Sequence, residues 1–232
     1  MTDRTTATEP TSFDPHAAAY DEQHRANIAM GGEDPEYYAR YKARMMKQVL
    51  GDLPGGTILD FGCAIGNLTA MLRDEWSPEV AILGYDPAPK CVEIASTRVP
   101  GARFTSDLDG IAEGSLKAIV VANVLHHIPP VERQDIMTKA ARLLEPGGTF
   151  FVFEHNPYNP LTQYIVKACP FDEGVTLLKP KEIRTLLKTA GVRQLTQDYI
   201  VFFPKALAML RPLEKRITWL PAGAQTCTWG VR

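Results

Sequence analysis

With 232 residues, 45% of them hydrophobic, the chain is long enough to bury a sizeable core, and its length suits a single domain. Its 25 basic and 27 acidic residues leave a formal charge of −2 and are spread along the chain, with no basic block matched to a phosphate backbone, so nucleic acid is not the expected main partner. Cys63, Cys91, Cys169 and Cys227 form neither a CxxC pair nor a zinc spacing, so reduced thiols and no metal are expected.

The opening residues, MTDRTTATEPTSFDP, lack the apolar run of a signal peptide, and no later segment approaches ~20 uninterrupted apolar residues, so the expected location is the cytoplasm. Residues 1–12 are too polar to offset the entropy of ordering and are expected to be a disordered tail. Residues 13–232 are expected to form one domain, with 13–50 as an N-terminal helical lid. In DPEYYARYKARMMKQVL, Asp34 reads as a cap and Pro35 as the first turn, with Tyr38, Tyr41, Met45 and Val49 at spacings of three and four. An earlier helix ends at MGGED. Tyr37, Tyr38 and Tyr41 make an aromatic face, as core or as pocket wall.

From residue 54 the period changes. TILDF, VAILGY, ARFTS, LKAIVVANV and GTFFVFEH are short apolar runs that alternate with helical stretches near 67–73, 88–98, 130–143 and 180–190. That alternation predicts an α/β fold, a doubly wound, Rossmann-like, mostly parallel sheet with helices on both faces. VRQLTQDYIVFFP and AQTCTWGVR read as a final antiparallel pair at the sheet edge, so the last strand is antiparallel. Between them, residues 205–220 are apolar and basic and are broken by Pro212. Packing on the sheet edge or on a second copy is the expected use, with an interfacial membrane helix as the alternative.

Ligands of such sheets collect at the carboxyl ends of the strands. LDFGCAIGN places Asp60, Gly62, Cys63 and Gly66 there, with Ala64 where a third glycine would complete the spacing, and this is not the G-x-G-x-x-G of a dinucleotide site. Asp86, followed by Pro87, ends the next run 20 residues beyond Gly66, where a carboxylate can accept from both hydroxyls of a ribose.

ILDFGCAIGNLT, LGYDPAPKCVEIA, FTSDLDGI, VVANVLHHIPP and LLEPGGTFFVFEHN, in that order over residues 36–190, resemble the motifs of the class I S-adenosylmethionine-dependent methyltransferases. The resemblance implies that residues 60–66 surround the methionine part of that cofactor and Asp86 its ribose. It also implies that Asp107 with Leu108 lies at the adenine edge and Asn123 with Val124 faces the methionine amine. The alternative for Asp107 is a plain turn acid in SDLDG. HAAAYDEQ is similar to the entry segment of many small-molecule members, which puts Tyr20 near the methionine end.

His126 and His127 are expected to pack or cap below the cofactor. His155, at the end of the fifth strand, is the candidate catalytic base, or else a loop-fixing hydrogen-bond partner, with Asn156 and Tyr158 as candidates for binding substrate. Pro157 and Pro160 stiffen that loop. The expected function is methyl transfer to a small-molecule acceptor at O, N or C, in specialised metabolism, by a monomer or homodimer without membrane contact. The alternatives are intramolecular cyclisation of the cofactor to azetidine-2-carboxylate with release of methylthioadenosine, and a non-catalytic nucleoside-binding module.

Overall fold

The computed structural model describes residues 33–169 and 174–232. Tyr20, the tail and the first predicted helix lie outside the described residues. Seven strands form one sheet in the order β3-β2-β1-β4-β5-β7-β6. They are β1 (Thr57–Phe61), β2 (Ala81–Tyr85), β3 (Arg103–Thr105), β4 (Leu116–Ala122), β5 (Leu144–His155), β6 (Arg193–Ile200) and β7 (Gln225–Val231). The first five are parallel, and β7 runs antiparallel to both β5 and β6. The predicted final pair is present, with β7 inserted between β5 and β6.

The helices are α1 (Pro35–Leu50), α2 (Asn67–Glu75), α3 (Pro89–Arg98), α4 (Arg133–Leu143), α5 (Pro160–Ala168) and α6 (Pro180–Thr189). Because both faces of a parallel sheet are covered, consecutive residues of β5 go to opposite cores. Phe151 and Phe153 pack with Ala43, Met46 and Leu72 of α1 and α2. Phe150 and Val152 pack with Met137, Ile183 and Leu187 of α4 and α6.

Asp34 caps α1 as its sequence implies, accepting from the Glu36 N–H at 3.0 Å. The buried face of α1 differs from the expected one. Ala39, Lys42, Ala43 and Met46 point inward, the tyrosines are half-buried, and Val49 is exposed. Two alanines let the helix approach the sheet more closely than a tyrosine stripe would. Burial raises the pKa of all three tyrosines, Tyr38 to about 12, so they remain hydrogen-bond donors.

Helix α5 was not legible as a helix, since Asn-Pro read as loop stiffening. In the fold Asn159 is its N-cap, accepting from Thr162 N–H at 3.0 Å, and Pro160 occupies the first turn. Residues 205–216 form tight 3-10 turns, non-helical at Leu207 and containing Pro212, rather than one continuous helix. Glu214 turns inward from this segment, accepting from Phe202 and Phe203 N–H at 3.0 Å each and hydrogen-bonding Tyr41. Among the described residues no helix is long and apolar enough to cross a membrane.

Candidate functional site

Parallel strands deliver the loops after β1, β2, β3, β4 and β5 to one edge of the sheet, and the sequence-predicted residues in the described range gather there. The loop after β1 makes three left-handed turns, with φ of 76° at Gly62, 45° at Ala64 and 84° at Gly66. Alanine thus keeps the backbone conformation a third glycine would supply, at a cost of about 1–2 kcal/mol. Gly62 and Cys63 N–H both donate to Tyr85 O, at 2.7 and 2.9 Å, which ties the loop to the end of β2.

A Cβ on Gly62 would stand 2.5 Å from Val124 Cγ2, and one on Gly66 would stand 3.0 Å from Val99 Cγ2. Close ligand approach is the expected reason for Gly62. The geometry adds a more immediate one, because Val124 from the loop after β4 fills the missing side chain. Asp86 is buried and uses both oxygens on backbone, accepting from Ala64 N–H at 2.8 Å and Ala88 N–H at 3.0 Å. It joins the loops after β1 and β2, and Pro87 beside it is exposed.

Asp107 is exposed and makes a local turn, accepting from Asp109 N–H at 3.0 Å while its own N–H donates to Thr105 Oγ1. Leu108 packs onto the core beside it. Asn123 has φ of 57° and donates its N–H to Phe153 O at 2.8 Å, and its side-chain Oδ1 is buried with no hydrogen-bond partner. Asn123 thus combines a left-handed backbone with a buried, unpaired side-chain acceptor at a strand end.

Glu154, fully buried, organises the loop that holds Asn123. Its Oε1 accepts from Val124 and Leu125 N–H at 3.1 and 2.8 Å, and its Oε2 lies 2.6 Å from His126 Nδ1. Burial alone would raise the Glu154 pKa, but the charge and hydrogen bond of His126 outweigh it and hold the carboxyl below its ordinary value. A carboxylate accepts, so Nδ1–H donates. His126 is therefore a packed structural partner, with the His127 and His155 rings centred 4.1 and 5.3 Å away.

Asp60 is buried, accepts from Thr69 Oγ1 at 2.7 Å, and is pushed up to about 7 by burial and by the charge of Asp86, against the pull of Thr69 and Lys42. Lys42, buried on α1, is lowered to about 8 by burial, against the fields of Glu154 and Asp60. A carboxyl raised in the fold keeps a proton the unfolded chain has released, so stability falls as pH rises from about 4 to about 7. A lysine lowered in the fold works the other way, and stability recovers as pH rises above about 8. Asp60→Asn should flatten the decline between about pH 4 and pH 7, on the order of a few kcal/mol, in urea midpoints across that range.

At the end of β5, Asn156 is not available to a substrate. Its amide donates to Pro221 O and Gly223 O at 3.2 and 2.7 Å, and its Oδ1 accepts from Tyr158 N–H at 3.0 Å. Tyr158 is half exposed. His155 pairs across the sheet with Gln225, and directly opposed residues of an antiparallel pair share a face. Gln225 is only 7% exposed, yet its Oε1 has no hydrogen-bond partner. Sequence reasoning missed Gln225, Lys42 and Thr69, whose roles come from elements far apart in the chain. For Glu154 an acid closing an otherwise apolar strand was a usable signal.

A family model described as "Methyltransferase domain" matches residues 30–197. The chain belongs to this methyltransferase family. An uncharacterised methyltransferase of Synechocystis sp. is 28% identical over 138 residues, 58% of this chain and 61% of that protein's length. A trans-aconitate 2-methyltransferase of Mycobacterium sp. (strain KMS) is 28% identical over 189 residues, 69% of this chain and 71% of its own. Among solved structures, a methyltransferase of Archaeoglobus fulgidus dependent on S-adenosylmethionine superposes with a TM-score of 0.68 at 11% identity, over 88% of this chain and 97% of that one. The methyltransferase fold, class I with S-adenosylmethionine as cofactor, agrees with the sheet order and with the loops gathered at its edge.

Proposed function

We propose that the chain transfers the methyl group of S-adenosylmethionine to a small molecule at O, N or C, in specialised metabolism. The observation that carries this reading is the orphaned Asn123 Oδ1 at the end of β4, an acceptor matched to the ammonium of the cofactor's methionine end. Lys42 and Asp60, each penalised by burial, are the complementary charges for a zwitterionic group: Lys42 for its carboxylate, Asp60 for its ammonium. Asp86 takes the ribose and Leu108 the adenine edge. The mycobacterial relative's name, a methyltransferase of trans-aconitate, supports a small acceptor.

When bound, the cofactor would supply an electron-poor methyl carbon on a sulfonium that departs as a neutral thioether, and the protein's task is alignment. His155 holds or removes the proton of the attacking group, and the unpaired Gln225 Oε1 is placed to accept a hydrogen bond from the substrate. Incubation with a panel of carboxylic acids, phenols and amines should release S-adenosylhomocysteine; methylthioadenosine in its place would select the cyclising reaction. His155→Ala and Gln225→Leu should each lower turnover about 10²-fold or more, with calorimetric affinity for S-adenosylhomocysteine within a few-fold of wild type. Gln225→Leu should also leave the fold as stable or about 1 kcal/mol more stable, since it removes an unsatisfied buried acceptor. Wild-type turnover in both variants would take the acceptor subsite elsewhere.

A further inference from the structure

The strand register brings two segments to the acceptor side of the site. His155 at the end of β5, Gln225 at the start of β7 and Ile200 at the end of β6 lie side by side, so residues 156–168 and 201–224 leave the sheet at the same edge. The two segments are bonded to one another as well. Asn159 Nδ2 donates to Ala222 O at 2.8 Å and Thr162 Oγ1 to Ala224 O at 2.9 Å.

Nine large apolar side chains stand exposed among the described residues, and seven of them are on these two segments. Tyr158, Leu161 and Tyr164 belong to the first. Leu207, Met209, Leu213 and Trp219 belong to the second, with Met209 86% and Trp219 72% exposed. Single exposed apolar residues are ordinary on any surface, but their concentration at one rim marks an interaction surface.

Charge decides what the surface fits. The chain as a whole has more acids than bases, 27 to 25, yet the two segments contain one carboxylate, Glu214, and it is buried and bonded to backbone. Lys167, Lys205, Lys215 and Arg216 are exposed on the same segments. Arg211 is not part of this set, because it pairs with Glu33 and lies 4.2 Å over the Tyr37 ring. A rim of Leu, Met, Trp and Tyr interleaved with cations and free of exposed acids has the composition of a surface that sits at a negatively charged lipid interface. A symmetric self-contact would oppose these cations to their own copies.

We propose that this rim docks on an anionic lipid surface, with Trp219 and Met209 entering the interface and Lys205, Lys215 and Arg216 meeting the headgroups. Glu214 is the device that presents it. By turning inward onto Phe202, Phe203 and Tyr41 it fixes the 3-10 turns so that Leu207, Met209 and Leu213 face outward. The proposal does not depend on which reaction the site performs.

The test is flotation of the purified full chain with vesicles of phosphatidylglycerol mixed with phosphatidylcholine, and with vesicles of phosphatidylcholine alone. Binding to the anionic vesicles should exceed binding to the neutral ones about tenfold and weaken with salt. Met209→Asp with Trp219→Ser, and separately Lys215→Glu with Arg216→Glu, should each lower anionic binding about tenfold. Unchanged affinity of both double variants for S-adenosylhomocysteine would show that the fold is intact. Equal or absent binding to the two vesicle types would overturn the proposal. So would a dimer in sedimentation that Met209→Asp dissociates while vesicle binding stays absent, which would assign the rim to self-association.

Discussion

Glu154→Ala should destabilise the protein by roughly 3–5 kcal/mol, since each buried donor left without an acceptor costs about 1–3 kcal/mol. Three donors converge on this carboxylate, Val124 N–H, Leu125 N–H and His126 Nδ1–H, and alanine would leave all three buried without an acceptor. Glu154→Gln keeps the shape and one acceptor oxygen, so it should cost clearly less, and the difference between wild type and Glu154→Gln isolates the charge. The folded-state pKa of Glu154 is depressed, so its contribution is present above the unfolded value near ~4.3 and is lost as pH falls through the folded one. Urea denaturation of wild type and Glu154→Ala should therefore show a constant gap near neutrality that narrows below about pH 4. A gap under about 1 kcal/mol at neutral pH would mean that the loop after β4 is held by something else.

Gly62→Val should remove detectable binding of S-adenosylhomocysteine, and Gly62→Ala should weaken it more than about tenfold, with a loss of roughly 2–4 kcal/mol in stability. Two costs add at this position, a left-handed φ of 76° and a Cβ only 2.5 Å from Val124 Cγ2. The collision pushes on the loop that carries Asn123, so damage to packing and damage to the site arrive together. Val124→Ala in the Gly62→Ala background should restore part of the stability, because it removes the colliding methyl groups and leaves only the backbone strain. Calorimetry and thermal melts of the single and double variants give both readouts. If the double variant is no better than Gly62→Ala, the strain alone explains the loss.

Legibility followed the range of the interactions. Asp34 as a cap was readable because its partner, Glu36 N–H, is two residues away. The strands were readable because a sheet covered on both faces demands continuous apolar runs, and Asp60 and Asp86 could be placed at the ends of the first two from position alone. Asn159 and Pro160 carried two meanings, a stiff loop or a helix start, and only Thr162 N–H in place above Asn159 Oδ1 chose the second. The face of α1 went astray because periodicity counts large apolar side chains, whereas the sheet selected Ala39 and Ala43 for close approach. Asn156 looked like a substrate ligand from its place after β5, but its partners Pro221 and Gly223 lie more than sixty residues along the chain.

By itself the sequence determined the alternation of strands and helices, the motif order that resembles class I methyltransferases, and the edge at which the ligand loops meet. These are consequences of local period and chain order, which tertiary contacts do not alter. Only the folded structure decided that Val124 is the reason Gly62 must lack a side chain, that Glu154 is the anchor of the loop after β4, that Lys42 is buried in the fields of Glu154 and Asp60, and that Gln225 is buried opposite His155. It also decided that β7 enters between β5 and β6, which sets Gln225 beside His155 and brings residues 201–224 next to the end of β5. The physical reason is the same in each case: burial and pairing are properties of residues brought together from distant parts of the chain, and no window of sequence contains both partners.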